Sequence, residues 1–140
     1  GQLVRVGSDV FIIPLLSIVK STRVKENEYS SVAGEASMYK LEDDYLPMVP
    51  LKDVYRIEAD YSEVSDAILV IVDAVDRFGI LVDEVLGQQQ VVVKSLETNF
   101  KEVPTISGAT ILGDGTVAMI LDMAGLLKET RRESELALTD

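Results

Sequence analysis

The sequence has no cysteine, no histidine and no tryptophan among its 140 residues. Each absence closes off a chemistry. Without Cys there is no disulfide, zinc–thiolate site or thiol nucleophile, and without His the commonest general base and transition-metal ligand is gone. A Ser-His-Asp triad or a Cys-His pair is therefore impossible within this chain. Zero Cys also withholds the framework of a small secreted domain, which favours a reducing, cytoplasmic setting. Long apolar runs are missing too. Val10 to Leu16 is seven residues and contains Pro14, against the roughly 20 that a membrane-spanning helix needs. No transmembrane helix and no direct membrane insertion are expected. The first residue is Gly1, and no basic stretch followed by an apolar core and a cleavage site stands at the start, so the chain reads as a domain of a longer protein without a signal peptide.

Positive charge is scarce: 13 Lys plus Arg stand against 24 Asp plus Glu, a net charge of −11. That sign opposes phosphate backbones, and no nucleic-acid partner is expected. The deficit is uneven. Residues 26 to 66 carry eleven acidic and three basic side chains, whereas residues 1 to 25 carry four basic and one acidic. A solvated acidic face accounts for this, and so does a steering surface for a basic partner.

What is present is β-structure. Apolar segments are short, rich in Val and Ile, and punctuated by turn signals about every 10 residues, the spacing of an all-β sandwich or barrel. Four segments share one plan of strand, polar turn, strand and a turn of helix. The first runs Leu3 to Val6, Gly7-Ser8-Asp9, Val10 to Leu15, then Leu16-Ser17-Ile18-Val19; the second runs Ser37 to Leu41, Glu42-Asp43-Asp44, Tyr45 to Leu51, then Lys52 to Tyr55. The third runs Ile68 to Val72, Asp73 to Asp76, Phe78 to Val82, then Asp83 to Gly87; the fourth runs Ala109 to Leu112, Gly113-Asp114-Gly115, Thr116 to Leu121, then Asp122 to Leu127. An extra strand is expected over Gln89 to Leu96, and loops over Lys25 to Ala36 and Leu96 to Ser107. Asp83 and Asp122 stand where a carboxylate caps a helical turn. Hairpins that each bury a face and avoid open edges favour closure, so two packed five-stranded barrels with short helical turns are expected, with one larger barrel as the alternative. The domain is expected over residues 1–130, followed by a charged tail over 131–140; the stretch from Lys128 to Asp140 either extends a terminal helix or frays.

The chemistry left to such a chain is that of carboxylates, Ser and Lys. Asp73, Asp76, Asp83, Glu84, Asp114 and Asp122 fall at strand ends and turns, where turn geometry explains them more simply than acid–base catalysis does. No calcium loop has the required ligand spacing, and no Gly-rich phosphate cradle occurs. No cofactor, no metal and no catalytic residue is expected. What remains is apolar surface. Val10 to Val19 is apolar at nearly every position, more than one half-buried face hides; the excess is core between subdomains, or surface offered to a partner. Gln88, Gln89 and Gln90 suit either an uncharged contact or an exposed loop.

Two segments carry a resemblance: Gly87-Gln88-Gln89-Gln90-Val91-Val92-Val93-Lys94-Ser95-Leu96, and Val103-Pro104 with Ile106-Ser107-Gly108-Ala109-Thr110-Ile111-Leu112-Gly113-Asp114-Gly115. With Phe11-Ile12-Ile13-Pro14-Leu15, Tyr45-Leu46-Pro47, Phe78-Gly79-Ile80-Leu81-Val82-Asp83 and Ile120-Leu121-Asp122, the chain resembles, over roughly residues 3 to 127, the CheW-like C-terminal regulatory domain of the bacterial chemotaxis histidine kinases, the CheA family. The resemblance implies two five-stranded SH3-like barrels and a scaffold without its own catalysis. It implies binding to the coupling protein CheW, to the cytoplasmic tips of methyl-accepting chemoreceptors and to other domains of the same kinase, so that receptor state alters autophosphorylation. A stand-alone CheW-type adaptor is the alternative. Carried over by segment, the partner contacts are expected at Leu16, Ser17, Ile18 and Val19, and at a second patch in which a loop of Leu86, Gly87 and Gln88 joins Ile106, Ser107 and Gly108. Where the family has an Arg-Gly pair before Glu-x-Leu-Pro, this chain has Glu42-Asp43 before Asp44-Tyr45-Leu46-Pro47.

Overall fold

A computed structural model describes residues 1–24, 29–30, 38–41, 44–61, 66–74, 76–88 and 105–138. The chain starts in a hairpin, β1 (Gln2–Val6) and β2 (Asp9–Ile13), closed by the two residues Gly7 and Ser8. It leaves through a 3-10 turn at Leu15–Ser17 into β3 (Ile18–Arg23), then β4 (Tyr29–Ser30), β5 (Met38–Leu41) and β6 (Asp44–Pro50). A single helical turn, α1 (Leu51–Val54), precedes the hairpin β7 (Ile68–Asp73) and β8 (Arg77–Val82). The chain then returns as β9 (Glu84–Gln88), β10 (Ile106–Ile111) and β11 (Val117–Leu121), and ends in α2 (Met123–Leu138).

These strands make two sheets, ordered β10-β11-β2-β1-β9 and β3-β7-β8-β6-β5-β4. The second sheet is one continuous stretch of chain inserted between the two pieces of the first. Parallel pairing of β11 with β2 and of β6 with β8 stitches distant segments together. The chain crosses between the sheets twice, at Pro14–Ser17 and at Asp83. These crossings lie at opposite ends of β2, since β2 begins beside the Gly7 turn and ends at Ile13.

β1, β2, β7 and β8 each bury side chains on both faces, which is why alternation of polar and apolar residues is weak in their sequences. In β7, Val70 and Val72 enter the core shared by the two sheets, while Leu69 and Ile71 enter a core belonging to the second sheet alone. In β8 the same division sends Phe78, Ile80 and Val82 one way and Leu81 the other. β1 and β2 place Val4, Val6, Phe11 and Ile13 in the shared core, and Leu3 and Ile12 in a small core of the first sheet. Each fully buried side chain of this size contributes about 1.5–3 kcal/mol relative to exposure. This is the two-subdomain, all-β arrangement expected.

Several local expectations are corrected. Asp83 to Gly87 is not a helical turn, because β9 completes the open edge of β1 with Val85 opposite Val4 and Glu84 opposite Arg5. The residues Leu86 to Gln88 accordingly belong to a strand and not to a loop. At the first junction only Leu15–Ser17 is helical, and Ile18 and Val19 already belong to β3. Within the expected loop 25–36, Tyr29–Ser30 pairs with β5, giving the second sheet a sixth strand. The charged C-terminal stretch extends a terminal helix, one of the two outcomes expected for it: α2 has 16 residues. Asp122 caps it as expected, accepting the Gly125 N–H at 2.9 Å, and Leu126 and Leu127 anchor it in the shared core. The strand expected over Gln89 to Leu96 lies outside the described residues, as does the acidic pair Glu42-Asp43.

Candidate interaction surface

At the first crossing Pro14 ends β2, because its ring removes the N–H that a continuing ladder needs. Its carbonyl accepts the Ser17 N–H at 3.0 Å and closes the 3-10 turn. A turn this short points its side chains away from both sheets. Leu16 is 102% exposed, and Leu15 and Val19 are about half exposed, at 45% and 48%. Ser17 is half-buried. Ile18 turns the other way: it faces Val72 across the β3–β7 ladder and packs against the shared core. Further along β3, Lys20, Ser21 and Arg23 are exposed. The crossing thus presents an apolar ridge that runs into a basic strand, within the most basic portion of an acidic chain. The apolar excess of Val10 to Val19 is divided near Pro14: Phe11, Ile12 and Ile13 before it are buried, while after it Leu15, Leu16 and Val19 are exposed and Ile18 alone turns back to the core.

The residues of the second expected patch occupy two strands that are not hydrogen-bonded to each other. Leu86, Gly87 and Gln88 lie on β9, and Ile106, Ser107 and Gly108 on β10, the opposite edges of the first sheet. Leu86 is half-buried and packs against that sheet's own core, while Gly87 and Gln88 are exposed. The carbonyls of Leu86 and Gly87 accept hydrogen bonds from the buried side chain of Gln2. On β10, Ile106 is half-buried, Ser107 is exposed with its hydroxyl 3.4 Å from the Ile120 carbonyl, and Gly108 is buried opposite Ile120. Ile111 and Val117 face one another beside the Gly113-Asp114-Gly115 turn and are exposed. Ile111 and Val117 did not stand out in the sequence, where an apolar residue in a strand reads as core, and Leu15 entered only as part of the apolar run Val10 to Val19.

The carboxylates have structural partners. Asp73 pairs with Arg77 at 3.2 Å, and Asp114 accepts the Thr116 N–H at 2.9 Å inside the turn, a bond that is the main reason its carboxyl lies below the usual range. Gly115 completes this turn with φ +88°, where a side chain is strained.

Asp83 is the most connected. Its two carboxylate oxygens accept N–H groups from Gly7 at 2.6 Å, Asp60 at 2.8 Å and Tyr61 at 2.7 Å. Arg5 surrounds it, donating to Asp60 at 2.6 Å, to Glu84 at 3.1 Å and to the Gly7 carbonyl at 2.7 Å. Partial burial pushes the Asp83 carboxyl up, but the three backbone donors and the Arg5 charge together outweigh it and hold it below the ordinary range. Tyr61 is pushed up chiefly by burial, reinforced by Asp53 and Asp83, and its buried hydroxyl has no hydrogen-bond partner among the described residues. Tyr55 stacks on Phe11 with centroids 5.2 Å apart and donates to the Thr105 hydroxyl at 3.0 Å.

No group of three or more Asp or Glu among the described residues is placed to hold a metal ion. Among the same residues no helix is long and apolar enough to cross a membrane.

Comparison with known proteins agrees with this architecture. The family model described as "CheW-like domain" matches residues 1–131. The chemotaxis protein CheA of Salmonella typhimurium is 41% identical over 140 residues, covering 99% of this chain and 21% of that protein. The sensor histidine kinase CheAY of Helicobacter pylori is 35% identical over 126 residues, covering 89% of this chain and 16% of that protein. The chain thus spans about a fifth of the relatives' length. In three dimensions it is similar to the scaffolding protein TtCheW from Thermoanaerobacter tengcongensis, with a TM-score of 0.65, 14% identity and 89% of each chain covered, a likeness of fold. With two sheets sharing one core and a family match from the first residue into α2, the chain belongs to the CheW-like domain family.

Proposed function

We propose that this domain is the coupling scaffold of a chemotaxis histidine kinase. It binds the coupling protein CheW and the cytoplasmic tips of chemoreceptors, and passes receptor state to kinase domains elsewhere in the same protein, at the inner face of the membrane. It does so without catalysing a reaction. The CheA relatives, at 41% and 35% identity, favour this over a stand-alone adaptor.

The observation that carries the reading is the ridge Leu15, Leu16 and Val19 at the crossing between the sheets. A fully exposed Leu flanked by two half-exposed apolar side chains is costly to keep in water and suits a partner's apolar groove. Its position on the covalent link between subdomains lets a bound partner sense their arrangement. Coupling then consists of a difference in contact free energy between two states of the assembly.

The test is an amide chemical-shift titration of the labelled domain with unlabelled CheW. Shifts centred on residues 15–19 that vanish in Leu16→Asp support the proposal. Shifts confined to residues 86–88 or 106–108 move the contact to an edge of the first sheet. No shifts at about 0.5 mM, above the affinity range of specific contacts, reject direct binding by this domain.

A further inference from the structure

The second crossing, at Asp83, is built differently from the first. Residues 56–61 pass over it without regular secondary structure. Arg56 adopts φ +53°, a left-handed conformation disfavoured for any residue with a Cβ. From there the segment lies along the seam. Ile57 packs against the shared core, Ala59 touches both the shared core and the core of the second sheet, and Tyr61 is buried in the latter. The approach is close: a Cβ on Gly7 would stand 2.0 Å from the Glu58 carbonyl oxygen.

A segment with strained backbone and few ladder bonds stays closed only if something fastens it. Three fasteners are visible. The Asp83 carboxylate takes the N–H groups of Asp60 and Tyr61 together with that of Gly7, and the Lys52 ammonium sits 4.6 Å above the Tyr61 ring. Arg5 ties the outside by holding Asp60 and the Gly7 carbonyl at once. The Asp83 N–H in turn donates to the Arg5 carbonyl at 2.9 Å, so the latch is itself anchored to β1.

We propose that residues 56–61 form a strap closed over the seam between the two sheets by the Asp83 carboxylate, and that the strap opens as one unit when that carboxylate is lost. Opening uncovers the seam beneath Ile57 and Ala59 while both sheets remain paired. This device does not depend on which partner the domain binds.

Native-state hydrogen exchange of the 140-residue chain tests it, comparing wild type with Asp83→Asn. The amide of Ile57 is the deciding one, because it bonds to the Lys52 carbonyl at 2.9 Å and not to Asp83. Unit opening predicts that Ile57 exchanges faster by on the order of 10–100-fold, together with Asp60 and Tyr61, the change expected for loss of a charge-assisted hydrogen bond. Amides of the β7–β8 ladder keep their wild-type rates. Acceleration limited to Gly7, Asp60 and Tyr61 overturns the proposal, because those amides merely lost an acceptor. Equal acceleration throughout the chain also overturns it, because the carboxylate then stabilises the whole fold uniformly. If Asp83→Asn does not fold, the wild type is read instead by the denaturant dependence of exchange: one shared opening free energy for Ile57, Asp60 and Tyr61, below that of the β7–β8 ladder, supports the proposal, and an Ile57 that opens only with the ladder sinks it.

Discussion

Leu16 and Ile18 are two residues apart and face opposite environments: Leu16 is 102% exposed, while Ile18 lies opposite Val72 and packs against the core shared by the two sheets. Leu16 lies within the 3-10 turn and Ile18 begins β3, and they answer substitution differently.

A charge at position 18 has no partner in the core. Ile18→Asp is expected to lower stability by about 1–3 kcal/mol, the cost of burying an uncompensated polar group. Leu16→Asp is expected to change it by no more than about 0.5 kcal/mol. Urea unfolding of the two variants checks this, and equal losses would contradict the assignment of one residue to core and the other to surface.

Gly7 combines a turn conformation at φ +61° with the 2.0 Å approach of a Cβ to the Glu58 carbonyl oxygen. Gly115 has the conformation, at φ +88°, but open space around its Cβ position. Gly7→Ala is therefore expected to cost more than Gly115→Ala. The latter carries only the left-handed strain of about 1–2 kcal/mol. Thermal unfolding of the pair compares them directly.

Removing the cap of α2 gives a third expectation. Asp122→Ala deletes the acceptor of the Gly125 N–H and is expected to cost about 1 kcal/mol. Asp122→Ser, which keeps a side-chain acceptor, recovers most of it in the same unfolding measurement.

Acid should weaken the domain through Asp83. Its carboxyl is held below the ordinary range, so the folded state binds this proton less readily than the unfolded chain. The resulting stability is fully present above the unfolded carboxylate value of about 3.9 and is lost as pH falls through the lower folded value. Arg5 pairs with Asp60 and Glu84 around the site. Carbon-detected titration of the Asp83 carboxyl should give a midpoint below 3.9. Asp83→Asn should flatten the acid limb of the stability curve, leaving the share of other depressed carboxyls such as Asp114. An Asp83 midpoint at or above the ordinary value would refute the role assigned to the three N–H donors.

The four hairpins were legible because their signals are local: polar turns such as Gly7-Ser8 and Gly113-Asp114-Gly115 between short apolar strands. The cap at Asp122 was legible for the same reason. Asp83 has the same sequence setting, a carboxylate between a strand and Glu-Val-Leu-Gly, and behaves otherwise. Its amide and carboxylate are claimed by residues up to 78 positions away, and the residues after it complete the edge of β1. The exposed ridge of Leu15, Leu16 and Val19 was half legible. The apolar excess after Phe11 was visible, but the division into core and surface at Pro14 depends on a second sheet that covers Phe11 and Ile13 and leaves Leu16 bare.

By itself the sequence determined the β class, the four hairpin turns, the absence of thiol and imidazole chemistry, and the family. All of these are written in residue type and short-range spacing. Tertiary structure alone decided the strand order, the parallel pairs β2–β11 and β6–β8, the division of each junction strand between two cores, and the use of Asp83 as a latch. These depend on which distant segments meet. A strand buried on both faces shows no periodicity to say which neighbour each face will find.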